Sequence, residues 1–257
     1  SGLVALNPGV EHGTLAKSAV LEMTPSSYVD CVSRIAILGG TGAQGLGLAL
    51  RFAAAGEAVI IGSRVVERAQ EAAAKVRAAV RNSSVEGREN VAAAALADRI
   101  VLTLPVAGIE PFLADGAAQL AGKIVIDAMV PLTVRKGVAE LEPIAGTPSV
   151  SELVQARVPT ARVVCAFKNV PSDELQDLAH PVPSDVLLCG DDELARREVA
   201  RLVEHIPGLR AVDAGPLRLA RYVEGLTALL VSLNIRHKTL TSIEIVGLER
   251  SRKAGVA

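Results

Sequence analysis

The chain has 257 residues, with 27 Lys and Arg against 28 Asp and Glu, and its apolar half includes only three Phe, two Tyr and no Trp. A net charge of -1 offers no basic footprint for a phosphate backbone, and so few rings leave little on which to stack bases, so nucleic acid is not an expected partner. No apolar run approaches the ~18 residues of a membrane span, and the high apolar content speaks against disorder away from the ends.

In chain order, Ser1-Gly2 resembles a cloning scar, and residues 1–33 form an N-terminal extension without a clean period. The extension lacks a basic segment followed by a continuous apolar one, so it does not read as a signal peptide. From Arg34 the pattern alternates. Arg34–Leu38 is a short aliphatic run ending in glycines, as a buried parallel strand would. Residues 44–55 then place Leu46, Ala49, Leu50 and Ala53 on one helical face, with Gly56 at the end as a C-cap. Ala58–Ile61 is a second strand and residues 65–80 a second helix. Strands at Arg99–Leu104 and Lys123–Asp127 complete a repeated βαβ arrangement.

Residues 131–149, rich in Pro, Gly and Thr, read as a linker or a substrate loop. Beyond them, Arg162–Phe167, Asp185–Cys189 and Gly208–Asp213 read as strands. Asp191 and Asp192 are placed to cap a helix running to about Ile206. A long amphipathic helix carries Leu219, Val223, Leu226, Leu230 and Leu233 on one face, and Ser242–Val246 closes as a last strand. The expected fold class is α/β: an N-terminal Rossmann-type doubly wound parallel sheet over 34–155, with a smaller C-terminal α/β domain over 156–257.

Three cysteines, Cys31, Cys165 and Cys189, form no CxxC and no even framework, which fits a reducing, cytoplasmic compartment. The four histidines have no zinc-like spacing, so no metal site is expected. The segment Gly39-Gly-Thr-Gly-Ala-Gln-Gly45 carries GxGxxG at Gly40, Gly42 and Gly45, between a strand and a helix. Gly40 suits the tight turn, Gly42 the close approach of a pyrophosphate, and Gly45 the packing of helix on sheet. Thr41, Ala43 and Gln44 bring backbone amides to the helix N-terminus, where an anion is favoured.

The end of the second strand discriminates between dinucleotides. A carboxylate there would suit NAD, but this chain offers Ser63, Arg64 and, one helical turn on, Arg68. These can hydrogen-bond and pair with the 2′-phosphate of NADP; Arg64 also suits stacking on the adenine, and both arginines also suit a solvated surface. Thr103-Leu104-Pro105 ends a strand at the crevice and either backs the nicotinamide or simply terminates the strand.

Six stretches occur together in order: Gly39–Gly45, Ile61–Arg64, Val101–Pro105, Cys189-Gly-Asp-Asp192, Asp213-Ala-Gly-Pro-Leu217 and Arg221-Tyr-Val-Glu-Gly-Leu-Thr227. Together they resemble the NADP-dependent reductases of the 8-hydroxy-5-deazaflavin coenzyme F-420, over most of residues 34–235. The resemblance implies a deazaflavin cleft between two domains and direct hydride transfer between the two bound rings. It also implies NADP held by Thr41, Ser63, Arg64 and Arg68, and the deazaflavin met by Phe167, Lys168, Asn169 and Val170, with Arg221 and Thr227 near the deazaflavin or the nicotinamide. The chain departs at Lys168, where members often carry histidine, and at Gly225, where some carry serine.

Hydride transfer needs proximity and exclusion of water more than acid–base groups. Lys168 and Thr227 are the candidate catalytic side chains, Lys168 as a cation facing an ionised deazaflavin or else as a surface lysine. Gly225 admits a ring or simple helix packing. Arg135, Lys136 and Arg218 read as binders of the coenzyme's tail or as solvated charge. The competing functions are an NADPH-dependent reductase of a flavin, ferric chelate or imino acid, and a non-catalytic NADP sensor. The broad apolar face of the long helix points to a homodimer.

Overall fold

The computed structural model describes residues 33–144 and 146–248, so nearly all of the expected 1–33 extension, and Cys31 with it, lies outside the described residues. Strand β1 (Arg34–Leu38) leads through a glycine turn into helix α1 (Ala43–Ala54), followed by β2 (Ala58–Ser63), α2 (Val66–Ala79) and β3 (Val85–Glu89). Helix α3 (Asn90–Ala95), β4 (Arg99–Leu102), α4 (Ile109–Leu120) and β5 (Ile124–Asp127) come next. A hairpin of β6 (Leu132–Arg135) and β7 (Val138–Leu141) precedes α5 (Val150–Arg157). Then come β8 (Arg162–Cys165), α6 (Ser172–Gln176), β9 (Ser184–Gly190), α7 (Glu193–Glu204), β10 (Leu209–Gly215) and α8 (Ala220–His237).

Eight strands form one sheet in the order β10-β9-β8-β5-β4-β1-β2-β3, parallel throughout except where β9 runs antiparallel to β8. The strand order reverses between β1 and β4, which opens a crevice at the carboxyl ends of the strands. The aliphatic strands alternate between two cores. Ile35, Ile37, Val59 and Ile61 pack against α1 and α2 on one face, and Ala36, Leu38, Ile60, Ile100 and Leu102 pack against α3 and α4 on the other. The sheet is continuous across the expected 155/156 domain boundary, since β5 pairs with β8. Among the described residues no helix is long and apolar enough to cross a membrane.

Three sequence expectations require correction. Residues 132–141 form a hairpin rather than a linker or loop. Its two-residue turn, Lys136-Gly137, has φ of 50° and 80°, the left-handed pair that matches the twist of the strands. Ser242–Val246 forms no strand. It runs beside β9, held by the Asp185 N–H to the Ile243 carbonyl (2.8 Å), while the Asp185 carboxylate accepts from the Ile245 N–H (2.6 Å) in place of a second ladder bond. Asp192 caps α7 through the Ala195 N–H (2.7 Å), whereas Asp191 accepts from the Leu217 N–H instead (3.0 Å).

Strand β3 (Val-Glu-Gly-Arg-Glu) has no aliphatic signature and lies at the sheet edge, under α2. Its Gly87 sets that packing, because a Cβ there would lie 2.3–2.4 Å from the backbone of Ala69 and Gln70. Gly87→Ala is therefore expected to lower stability by about 1–3 kcal/mol through overpacking. An unchanged urea midpoint would show that α2 can shift to make room.

Candidate functional site

The turn after β1 is built by contact between backbones. Gly39 takes φ of 79°, and the N–H groups of Gly39 and Gly40 both donate to the Gly62 carbonyl on β2 (3.1 and 3.0 Å). The left-handed residue of the turn is thus Gly39, not Gly40. Gly40 is needed for a different reason, since its Cβ would lie 2.9 Å from the Ile37 carbonyl oxygen. At Gly45 a Cβ would lie 2.6 Å from both the Gly40 Cα and the Thr103 Oγ1, so only glycine lets α1 sit this close to the sheet. Gly42 is the N-cap and supplies no side chain, and no acidic residue occupies the first turn of α1. The first-turn amides therefore face the crevice unneutralised, at the positive end of the helix dipole.

Of the expected cofactor residues, Thr41, Gly42, Ala43, Gln44, Ser63, Arg64, Arg68, Thr103, Leu104 and Pro105 line one cleft of about 410 Å³. Gly40 and Gly45 do not line it and act from behind the turn. Ser63 is buried, and its Oγ accepts from the Val65 N–H (3.2 Å), leaving its hydroxyl hydrogen to donate outward. Arg64 and Arg68 are exposed and make no ion pair among the described residues. Thr103 is held by two bonds to the Leu38 carbonyl, from its N–H and from its Oγ1, both 2.9 Å. A second cleft of about 480 Å³ adjoins the first, shares Arg64, Asn90, Leu104 and Pro105 with it, and extends to Phe112 and Asp115. Sequence reasoning missed Asn90.

The expected deazaflavin residues gather differently. None of Phe167, Lys168, Asn169 and Val170 lines either cleft, and all four side chains are buried. Phe167 has φ of 60° and meets Phe52 edge-on, with ring centroids 5.9 Å apart. Its carbonyl accepts from Gln44 Nε2 (3.0 Å), which ties this segment to the glycine turn. Asn169 Nδ2 donates to the Asp185 carbonyl (2.6 Å). Thr227 Oγ1 is placed to donate to the carbonyls of Lys168 (3.0 Å) and Val223 (2.9 Å). Arg221 lies apart, on Glu152 (2.9 Å) and the Arg218 carbonyl (2.9 Å). At Gly225 a Cβ would meet no atom of another element within 4 Å among the described residues.

Lys168 is neither a free cation in a cleft nor a surface lysine. Its Nζ donates to Asp127 Oδ2 (2.7 Å), Glu224 Oε1 (3.2 Å) and the Met129 carbonyl, which accounts for all three ammonium hydrogens. Asp127 also accepts from the Ser151 hydroxyl (2.6 Å) and the Met129 N–H (2.9 Å), and Glu224 accepts from the Val150 N–H (3.0 Å). Burial alone would lower the Lys168 ammonium, but Asp127 leads the opposing attraction and the net shift is upward. Burial pushes the Glu224 carboxyl up, with Lys168 opposing.

Lys168→Met leaves two buried carboxylates without their cation and is expected to cost about 3–5 kcal/mol in urea unfolding. Glu224→Gln keeps an oxygen for Lys168 and Val150 and is expected to cost far less. Because the folded-state value of Glu224 is raised, its stabilising contribution is complete below the ordinary glutamate range and is lost as pH rises through the raised value. The glutamine variant is neutral at every pH, so a urea-midpoint profile that falls as steeply in Glu224→Gln as in the parent would refute this assignment.

Residues 34–131 match the family described as NADP oxidoreductase, coenzyme F420-dependent. The chain is 42% identical over 224 residues to the F420-dependent NADP reductase of Methanocaldococcus jannaschii, covering 84% of this chain and 99% of that protein. It is 43% identical over 212 residues to the enzyme of the same name from Methanothermobacter thermautotrophicus, covering 80% and 91%. A crystal structure assigned as an F420-dependent NADP-reductase of Arthrobacter superposes with a TM-score of 0.69 at 28% identity, over 82% of this chain and 99% of that one. An imine reductase of Bacillus cereus, at 15% identity and a TM-score of 0.55, covers 80% of this chain and 63% of that one, and shares the fold alone. The chain belongs to the family of F420-dependent NADP reductases.

Proposed function

We infer that this chain is an oxidoreductase that transfers a hydride between NADP(H) and the deazaflavin coenzyme F-420. The observation that carries the NADP half is the pairing of unneutralised amides on α1 with two arginines, Arg64 and Arg68, that have no ion-pair partner among the described residues. The deazaflavin half rests on membership of the family and on relatives that carry that coenzyme in their names. When bound, the two coenzymes supply the redox chemistry, a hydride passing directly between their rings.

The protein's part is to bind, orient and keep out water. The amides of Thr41, Ala43 and Gln44 would hold the pyrophosphate, the Gly42 N–H being taken by the Gly39 carbonyl (3.0 Å), and Ser63, Arg64 and Arg68 would hold the 2′-phosphate. Thr103-Leu104-Pro105 backs the nicotinamide. Residues 34–155 supply this NADP side; the later section would supply the deazaflavin side with the main chain of the Phe167–Val170 segment, Thr227 and Gly225. Buried as they are, Lys168 and Thr227 act by fixing the main chain around the ring and not by moving a proton. The open space at Gly225 suits the close approach of a flat ring.

The protein works in the cytoplasm with small molecules as its partners, a setting that suits the free thiols Cys165 and Cys189. It pairs as a homodimer through α8 and the β6–β7 hairpin, where Tyr222, Leu229, Val134 and Val138 are exposed. Leu229→Glu is expected to convert a dimer into monomers in sedimentation; a parent chain that sediments as a monomer would rule the pairing out.

The assay for function sets NADPH and NADH each against oxidised coenzyme F-420 and against a common flavin, and follows loss of the reduced nicotinamide absorbance. NADPH with the deazaflavin is the expected active pair. Arg64→Asp is expected to raise the NADPH Michaelis constant about ten-fold or more, the worth of a charged hydrogen bond, and to change that for NADH little. Turnover with a flavin alone would move the chain to another acceptor.

A further inference from the structure

We propose that Asn90 is a positioning residue of the nucleotide site: its carboxamide oxygen is fixed on the glycine turn, and its amide group donates to the adenosine ribose where the nucleotide passes from one cleft to the next. The proposal rests on the NADP reading above.

Asn90 is the first residue of α3 and is almost wholly buried, with 3% of its surface exposed. Glu89 caps that helix by accepting from the Val91 N–H (2.9 Å), which fixes the backbone from which the Asn90 side chain springs. The carboxamide reaches across the end of β2. It finds room there because residue 62 is glycine, whose Cβ would otherwise lie 2.7 Å from Asn90 Oδ1. From this position Oδ1 is a second, longer acceptor (3.4 Å) for the Gly39 N–H, the left-handed residue of the turn.

An oxygen facing an N–H sets the orientation of the amide, and Nδ2 must then face away. Nδ2 has no hydrogen-bond partner among the described residues and is not sealed in the interior. Asn90 is one of four residues lining both clefts. Of the others, Leu104 and Pro105 bring apolar side chains, and Arg64 brings a charge suited to a phosphate. Asn90 alone of the four places a buried, neutral donor at the junction.

The chemistry at that junction follows from the ends. With the pyrophosphate on the α1 amides and the 2′-phosphate on Arg64 and Arg68, the group between them is the ribose that bears the 2′-phosphate. Its oxygens are neutral acceptors and suit an amide N–H. This ribose is present in both NADPH and NADH, so a contact to it has a different signature from one to the 2′-phosphate.

The test is direct binding of NADPH and NADH to the parent, Asn90→Leu and Asn90→Asp, with melting curves for each. Asn90→Leu removes the donor at similar size and is expected to weaken NADPH and NADH alike by about five-fold, the worth of one neutral hydrogen bond. Asn90→Asp keeps an oxygen for the Gly39 N–H, removes the donor and is expected to weaken both at least as much; it decides the matter if the leucine variant does not fold. Inorganic pyrophosphate, which carries no ribose, is expected to compete with nucleotide equally well in the parent and in Asn90→Leu. Unchanged NADPH affinity in a folded variant would overturn the proposal. So would a loss confined to NADPH, which would place Asn90 with the 2′-phosphate, or an equal loss of pyrophosphate, which would confine it to bracing the turn. A parent that fails to bind NADPH would instead sink the underlying NADP reading, and that outcome is distinguishable from the others.

Discussion

The site depends on how closely α1 approaches the sheet. Gly45 stands against the Gly40 Cα and Thr103 Oγ1 with no space for a Cβ, while Thr103 is itself pinned twice to the Leu38 carbonyl. That contact joins β1, α1 and β4 at the point where the strand order reverses. It places the first-turn amides over the carboxyl ends of the strands, where a ligand can reach them. A methyl group at residue 45 would push the helix out and turn its amides away from the crevice. The distance between backbones thus governs both the packing of the first βαβ unit and the location of its positive potential.

Lys168 and its two carboxylates, buried outside both clefts, organise the interior by charge. A lone buried lysine would be strongly disfavoured, and so would either carboxylate near it. The three persist together because all three ammonium hydrogens, both Asp127 oxygens and Glu224 Oε1 have partners, drawn from β5, the residues just after it, α5, α8 and the segment after β8. Such an arrangement adds little net stability over an apolar filling of the same shape. What it fixes is geometry, since Met129 is held at both its N–H and its carbonyl. A reaction that carries its chemistry in two coenzymes requires this of the protein more than it requires a titrating side chain.

Much of this was legible in the sequence, and the failures have physical causes. The runs Arg34–Leu38 and Ala58–Ile61 are aliphatic because both faces of those strands are covered, so their composition betrays them. Strand β3 is polar because it lies at an edge, so periodicity passes over it. Helix α5 carries a readable signal in the Ser149-x-x-Glu152 spacing of a capping box, and the Ser149 Oγ accepts from the Glu152 N–H (3.2 Å) while donating to the Glu152 carboxylate (2.7 Å). The burial of Lys168 could not be read locally, because Asp127 and Glu224 stand 41 and 56 residues away. Ser242–Val246 has the alternation of a strand but takes its place from the Asp185 side chain. The choice between Gly39 and Gly40 as the left-handed residue depends on which one passes under Thr103, and the glycine spacing leaves that undetermined.

On the reading proposed above, the nucleotide site would divide its work between two kinds of donor. Arg64 and Arg68 are exposed, and their attraction for a 2′-phosphate is screened by salt and shared with water. The turn amides and Asn90 are fixed by packing, so their hydrogen bonds demand little reordering when a nucleotide arrives. Rigid neutral donors would then set where the nucleotide lies and therefore where its nicotinamide ring points. On the same reading, the exposed charges on the rim would set which nucleotide is chosen. Because hydride transfer is sensitive to ring placement at the scale of an ångström, it is consistent that the positioning groups are buried behind glycines and that the selecting groups are left at the surface.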